Sequence, residues 1–251
     1  MAGMRAGILA PVALLLIFLL AALFVFIYVR AYRSNYYTYN LLRLDPLEEG
    51  SLKDYEARIS TAEIWMIGDS RIARWDTDLL KEESGIANLG IEGQTSAQVY
   101  YRLKNYLVSD TPSLIVLQVG INDLKIIGLD KGLKAEVSKN LCRNIEAICH
   151  LCIDRDIKVI LMNIIPVGKI EPARRLVWNT EVNQALDSVN AALKLMTDNE
   201  HVLYLDTYTL LSDNTKKVRT ELQYDFLHIN KKGYEILSAA LKQQIKTISN
   251  K

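Results

Sequence analysis

The sequence predicts an α/β domain on a five-stranded parallel sheet, preceded by one N-terminal transmembrane helix, and three observations carry that prediction. Five short apolar runs, residues 64–67, 86–89, 114–119, 159–162 and 202–205, each end in glycine or polar residues, as buried strands do. Amphipathic helical stretches alternate with them, the pattern of a parallel sheet covered on both faces. Residues 8–29 are apolar apart from Pro11 and Tyr28, a length that spans about 33 Å as a helix and so crosses a bilayer.

In chain order, residues 1–7 form a short tail and 8–29 the membrane anchor. A cleaved signal peptide has an apolar region of about 7–15 residues followed by a small-x-small site. Here Tyr28-Val29-Arg30-Ala31 follows instead, so the anchor is read as uncleaved. Residues 30–56 form a juxtamembrane linker. Tyr28 at the anchor's end and Tyr32, Tyr36 and Tyr39 in the linker share one face of a continuing helix at headgroup depth. Leu44-Asp45-Pro46 then ends any helix, and Glu48-Glu49-Gly50-Ser51 is a polar connector. The folded domain is assigned to residues 57–251.

Half of the 251 residues are apolar and the formal net charge is +1, with no long Lys/Arg run. That balance offers no electrostatic footprint for nucleic acid. The three cysteines, Cys142, Cys149 and Cys152, lie on one helical stretch and form no disulfide framework. Arg30, Arg33 and Arg43 flank the far end of the anchor against Arg5 at its near end, a bias that by itself puts the domain in the cytoplasm.

Within the domain the first strand runs into Gly68-Asp69-Ser70, which puts a hydroxyl at a strand's carboxyl end, where open α/β sheets bind ligands. The second strand leads into Asn88-Leu89-Gly90-Ile91-Glu92-Gly93-Gln94-Thr95, a glycine-rich turn feeding a helix N-terminus. Thr95 and Gln98 make a capping box for a helix with Val99, Leu103 and Leu107 on its apolar face. The third strand ends at Gly120-Ile121-Asn122-Asp123, the fourth at Asn163 and the fifth at Asp206. Between them, Leu133, Val137, Leu141, Ile145, Ile148 and Cys152 form one helical stripe, and Val182, Leu186, Val189, Leu193 and Met196 another. Asn230 is the expected N-cap of a last helix that buries Ile236, Leu237, Ala240 and Leu241.

A serine nucleophile needs a neighbour to take its proton, and histidine is the usual one. His150 and His201 precede strands and so lie toward the wrong edge of the sheet. His150 with Cys149 and Cys152 spreads in different directions around a helix, which does not suit a metal. His228 remains, in a loop before the last helix, with Asp225 three residues earlier able to orient its ring.

These four blocks, Gly68-Asp69-Ser70, Gly93 in Asn-x-Gly-x-x-Gly-x-Thr, Gly120-x-Asn122-Asp123 and Asp225-x-x-His228, resemble in order those of the SGNH hydrolases, the GDSL-type esterases and lipases. Tyr101-Arg102-Leu103-Lys104-Asn105, Ile165-Pro166-Val167-Gly168 and Asp225-Phe226-Leu227-His228 are most similar to the platelet-activating-factor acetylhydrolase-like branch. The resemblance covers roughly residues 62–245. It implies a flavodoxin-like three-layer αβα sandwich and a catalytic triad of Ser70 as nucleophile, His228 as base and Asp225 as its orienting acid. It also implies an oxyanion hole from the N–H groups of Ser70 and Gly93 and the Asn122 amide, with no cofactor and no metal. Asp206 is the backup acid, with a structural strand-end role preferred. Arg71, next to the nucleophile, is assigned to an anionic substrate group, with a carboxylate-paired rim arginine as the alternative.

The reading is a membrane-anchored serine ester hydrolase acting on O-acyl, acetyl-like groups of a carbohydrate or lipid. An O-acyltransferase sharing the acyl-enzyme is the alternative, and a non-catalytic binding module the alternative of another class. The acyl length and the oligomeric state are left open. The resemblance sets the charge bias aside and favours a bacterial inner-membrane protein with its domain outside the cytoplasm.

Overall fold

Each apolar run becomes a strand of one sheet, the three central runs sealed on both faces and the two edge runs in part. The computed structural model describes residues 2–44, 62–81 and 85–249. The strands are β1 (Ile64–Gly68), β2 (Ile86–Gly90), β3 (Leu114–Gln118), β4 (Lys158–Met162) and β5 (Val202–Leu205). They pair in parallel in the order β2-β1-β3-β4-β5. The chain therefore steps from β1 to one side, then crosses back to start β3 on the other. In such a sheet the ligand crevice opens where the direction of winding reverses, at the carboxyl ends of β1 and β3.

The helices follow the predicted stripes. α3 (Ser96–Tyr106), α5 (Lys134–Ile153) and α6 (Thr180–Leu195) bury Val99 and Leu103, Val137, Leu141, Ile145 and Ile148, and Val182, Leu186 and Leu193. On one face of the sheet, Ile64, Met66, Val116, Ile160 and Met162 pack with Leu237, Leu241 and Ile245 of α8 (Lys231–Ser249). Three short helices stand at strand exits: α2 (Ser70–Ala73), α4 (Ile121–Leu124) and α7 (Thr207–Leu211). The expected caps are present. Gln98 Oε1 accepts from Thr95 N at 3.1 Å, and Asn230 Oδ1 accepts from Gly233 N at 3.3 Å. Asp206 caps α7, accepting from Thr209 N at 3.0 Å and from Asn163 Nδ2 at 2.8 Å.

The chain divides into two compact units, Met1–Tyr39 and Asn40–Lys251. Helix α1 (Ala2–Leu42) is longer than the apolar run alone, and the rings of Tyr32 and Tyr36 stack with centroids 6.1 Å apart, as i, i+4 neighbours do. Its segment Pro11–Leu42 is long and apolar enough to cross a membrane, a test that a signal sequence near an N-terminus also passes. The polar connector expected after Asp45, and the domain start expected at residue 57, lie outside the described residues.

Gly68 closes β1 where no larger residue fits: a Cβ there would lie 1.9 Å from the Gln118 carbonyl oxygen on the neighbouring strand. Gly68→Ala must part β1 from β3. It should cost at least the roughly 1–3 kcal/mol typical of overpacking, read as a lowered thermal unfolding midpoint; an unchanged midpoint would contradict this packing.

Candidate active site

The turn after β1 is held from several sides. Asp69 N donates to Gln118 O at 3.3 Å, and Asp69 Oδ1 accepts from Arg71 N at 3.0 Å, which starts α2. Asn88 on β2 donates from Nδ2 to Ile72 O at 2.8 Å and to Trp75 O at 2.9 Å, closing the far end of the turn. Ser70 is thereby fixed as the first residue of a helix, where the backbone N–H has no intrahelical acceptor.

The loop before α8 brings His228 to it. His228 Nε2 lies 2.9 Å from Ser70 Oγ, and His228 Nδ1 lies 2.7 Å from Asp225 Oδ2. A carboxylate at Nδ1 requires the proton there, which leaves Nε2 as acceptor for the serine hydroxyl. The other Asp225 oxygen accepts from the N–H groups of Leu227 and His228, both at 2.8 Å. Burial alone would raise the Asp225 pKa, but these hydrogen bonds outweigh it and hold the carboxyl below its ordinary value. His228 is held below its ordinary 6.5 by burial, with Arg74 and Arg71 pushing the same way and Asp225 opposing.

The second side of the crevice is built from β2 and β3 exits. Gly93 sits at φ +76, a left-handed conformation that favours glycine, and the Arg43 guanidinium occupies the space a Cβ would take. Among the described residues no hydrogen bond leaves the backbone N–H of Ser70 or Gly93. Asn122 is 4% exposed. It donates one Nδ2 hydrogen to Gln94 O at 2.9 Å and accepts from Lys125 Nζ at 2.6 Å, so its orientation is fixed and its second N–H is left over. Arg102 Nε supports Gln94 from behind, donating to its Oε1 at 3.0 Å. Asp123 ties the crevice to α3, accepting from Ser96 Oγ at 2.5 Å and from Ser96 N at 3.0 Å. Burial pushes the Asp123 carboxyl up to about 7 against those hydrogen bonds.

Arg71 corrects the expectation. It is 1% exposed, and its Nε donates to Leu227 O at 3.1 Å while Tyr234 Oη donates to Arg71 O at 2.9 Å. A sealed guanidinium cannot meet a substrate in the crevice. It braces the histidine loop against the serine turn instead. The arginine paired at the surface is Arg74, whose Nε lies 2.7 Å from Glu92 Oε1. Asp206 is committed to its cap. His201 pairs with Asp198 at 3.3 Å on the surface, away from this constellation. Lys125 and Gln94 were not anticipated; the only sequence signal for Lys125 is its place one helical turn after Asn122.

An α/β fold with a hydroxyl, an imidazole and a carboxylate in series at a strand exit, beside a fixed amide and two spare N–H groups, is the equipment of an ester-hydrolysing enzyme. Residues 60–236 match the GDSL-like Lipase/Acylhydrolase family, and the chain belongs to it. Solved structures agree in fold. A GDSL-like lipase from Bacteroides thetaiotaomicron VPI-5482 is 24% identical, the likeness covering 79% of this chain and 98% of that one, with a TM-score of 0.64. A Streptococcus pneumonia protein provisionally described as a platelet activating factor is 20% identical over 90% of this chain and 98% of that one, at 0.65. The acetylxylan esterase Axe2 from Geobacillus stearothermophilus is 16% identical over 75% and 96%, at 0.57. No curated protein matches the chain by sequence.

If neutral His228 takes the serine proton, kcat/KM must rise with pH as the imidazole deprotonates. Because the ring is held below 6.5, the limb should lie below 6.5 and the profile be flat by neutral pH. A limb above 6.5 would contradict the environment described here. If Asn122 is a donor to a developing oxyanion, Asn122→Ala should lower kcat by about 10²- to 10³-fold with little change in KM; steady-state kinetics on an aryl acetate reads both.

Proposed function

We propose that the chain is a membrane-anchored serine ester hydrolase that removes O-acyl, acetyl-like groups from a carbohydrate or lipid. The observation that carries the reading is the series Ser70 Oγ, His228 Nε2, Asp225 Oδ2, with separations of 2.9 and 2.7 Å, at the exit of β1. In the proposed reaction Ser70 Oγ attacks the ester carbonyl carbon as its proton passes to His228 Nε2. The negative oxygen of the tetrahedral intermediate takes hydrogen bonds from Ser70 N, Gly93 N and Asn122 Nδ2. The C–O bond to the alcohol then breaks, the alcohol leaving with the proton from His228, and an acyl-serine remains. Water repeats the sequence and frees the acid. Asp225 keeps Nδ1 protonated throughout and stabilises the imidazolium.

The carbohydrate side of the proposal is supported by the fold shared with an acetylxylan esterase. Anchoring is supported by the length and composition of Pro11–Leu42. Ser70→Ala should lose about 10³-fold or more in turnover while keeping its unfolding midpoint, since the hydroxyl contributes little to packing. Mass spectrometry of the wild type quenched during turnover should find the acyl group on the Ser70 peptide. Wild-type rates in the alanine variant would sink the assignment.

On topology the family resemblance is taken over the arginine bias, placing the domain outside the cytoplasm. A cysteine at Lys216, whose side chain is 72% exposed, introduced together with Cys142→Ser, gives a clean handle. Cys149 and Cys152 are buried thiols pushed up to about 12. A membrane-impermeant maleimide should label Lys216→Cys in spheroplasts; labelling only after lysis would place the domain inside.

A further inference from the structure

Cations gather around the crevice beyond what the triad chemistry uses. Lys125 Nζ, half-buried, donates to Asn122 Oδ1 at 2.6 Å. Arg43 Nη2 donates to Glu92 O at 3.3 Å, with the guanidinium over Gly93. The Arg174 guanidinium lies over the Phe226 ring at 5.2 Å from its centroid, two residues before His228. Arg43 and Lys125 therefore stand on residues of the crevice wall, and Arg174 on the loop that carries His228.

Among the described residues, the acidic groups nearby are spoken for. Glu92 pairs with Arg74, Asp225 holds His228, and Asp123 is bonded to Ser96. Asp69, 1% exposed, accepts from Arg71 N. Among the described residues neither Lys125 nor Arg174 is in an ion pair. The Lys125 pKa falls to about 8, chiefly through burial, with Asp69 opposing and Arg43, Arg71 and Arg174 adding repulsion. Like charges brought together at a partly desolvated site destabilise each other until an anion joins them, a cost found at sites that bind one.

We propose that Arg43, Lys125 and Arg174 receive a negatively charged group, a carboxylate or a phosphate, carried by the substrate close to its scissile ester. This rests on the esterase reading and sharpens it: the preferred ester belongs to an acidic carbohydrate or an anionic lipid, rather than to a neutral one. Lys125 has a second duty, holding the Asn122 amide. The contacts given above for Arg43 and Arg174 are to Glu92, Gly93 and Phe226 and not to the triad, so they are the positions to vary.

The test is equilibrium binding to the full-length Ser70→Ala protein in non-ionic detergent, where no turnover interferes. The probes are methyl 4-acetoxybenzoate, 4-acetoxybenzoate and 4-acetoxyphenyl phosphate, which share an aryl acetate and differ in charge. At low ionic strength at least one anionic probe should bind about tenfold tighter than the neutral ester, equivalent to about 1.4 kcal/mol. The stronger of the two identifies the carboxylate or the phosphate. Arg43→Gln and Arg174→Gln should each shrink that preference several-fold, and added salt should shrink it too, because the site is open to screening. Equal or absent binding of all three probes, or a preference untouched by both substitutions, would overturn the proposal. Wild-type turnover of the neutral probe is measured alongside; a binding preference without turnover would support the anion site and remove the esterase reading.

Discussion

Everything at the site depends on β1 being paired on both sides, to β2 and to β3, with its last residue pressed against the Gln118 carbonyl. Because the winding reverses there, the connections from β1 and β3 leave toward opposite sides and a crevice opens beyond their carboxyl ends. The exits of three adjacent strands then open into one crevice. β1 supplies Ser70, β2 supplies Gly93 and β3 supplies Asn122. Ser70 follows its strand by two residues, Gly93 and Asn122 theirs by three and four, so the rigid sheet fixes where each of these short turns begins.

The histidine comes from a loop, and a loop has to be fastened. Asp225 does this with one carboxylate, bonding the ring through one oxygen and two backbone N–H groups through the other. The group that sets the imidazole tautomer also folds the loop that carries it. Arg71 completes the fastening from the opposite side, since it follows Ser70 in the chain and donates to Leu227 O, the carbonyl beside His228. Tyr234 and Ser238 of α8 bond to the Arg71 carbonyl and the Trp75 indole, so the last helix grips the serine turn as well. Ser70 and His228 are thus one mechanical unit, although 158 positions separate them in sequence.

What was legible in the sequence was what depends on near neighbours or on a repeating pattern. Strand cores showed as apolar runs, helix faces as stripes, and Asp225 and His228 as an i, i+3 pair. The place of Arg71 is not legible in the sequence because it is decided by the Leu227 carbonyl, a partner that no local pattern announces. Lys125 was passed over because a lysine one turn beyond an asparagine is common on any helix, and only the fold shows the ammonium against the amide. Arg43 was counted with the juxtamembrane linker, whereas its contacts run to Glu92 and Thr95, about fifty residues on. Arg43, just past the end of α1, therefore belongs to the same compact unit as the crevice.

The distinction between hydrolase and acyltransferase lies outside the triad altogether. In the proposed mechanism His228 Nε2 takes a proton from whichever hydroxyl approaches the acyl-serine, water or sugar, and the oxyanion donors see the same carbonyl oxygen in both cases. Neither group discriminates. Discrimination has to come from contacts that hold an alcohol in place long enough to exclude water, and those belong to the crevice wall. Arg43 over Gly93, Arg174 over Phe226 and the Arg74–Glu92 pair are the polar groups standing there. Under the proposed anion site, Arg43 and Arg174 would both select the substrate by charge and stand where the acyl acceptor has to be held.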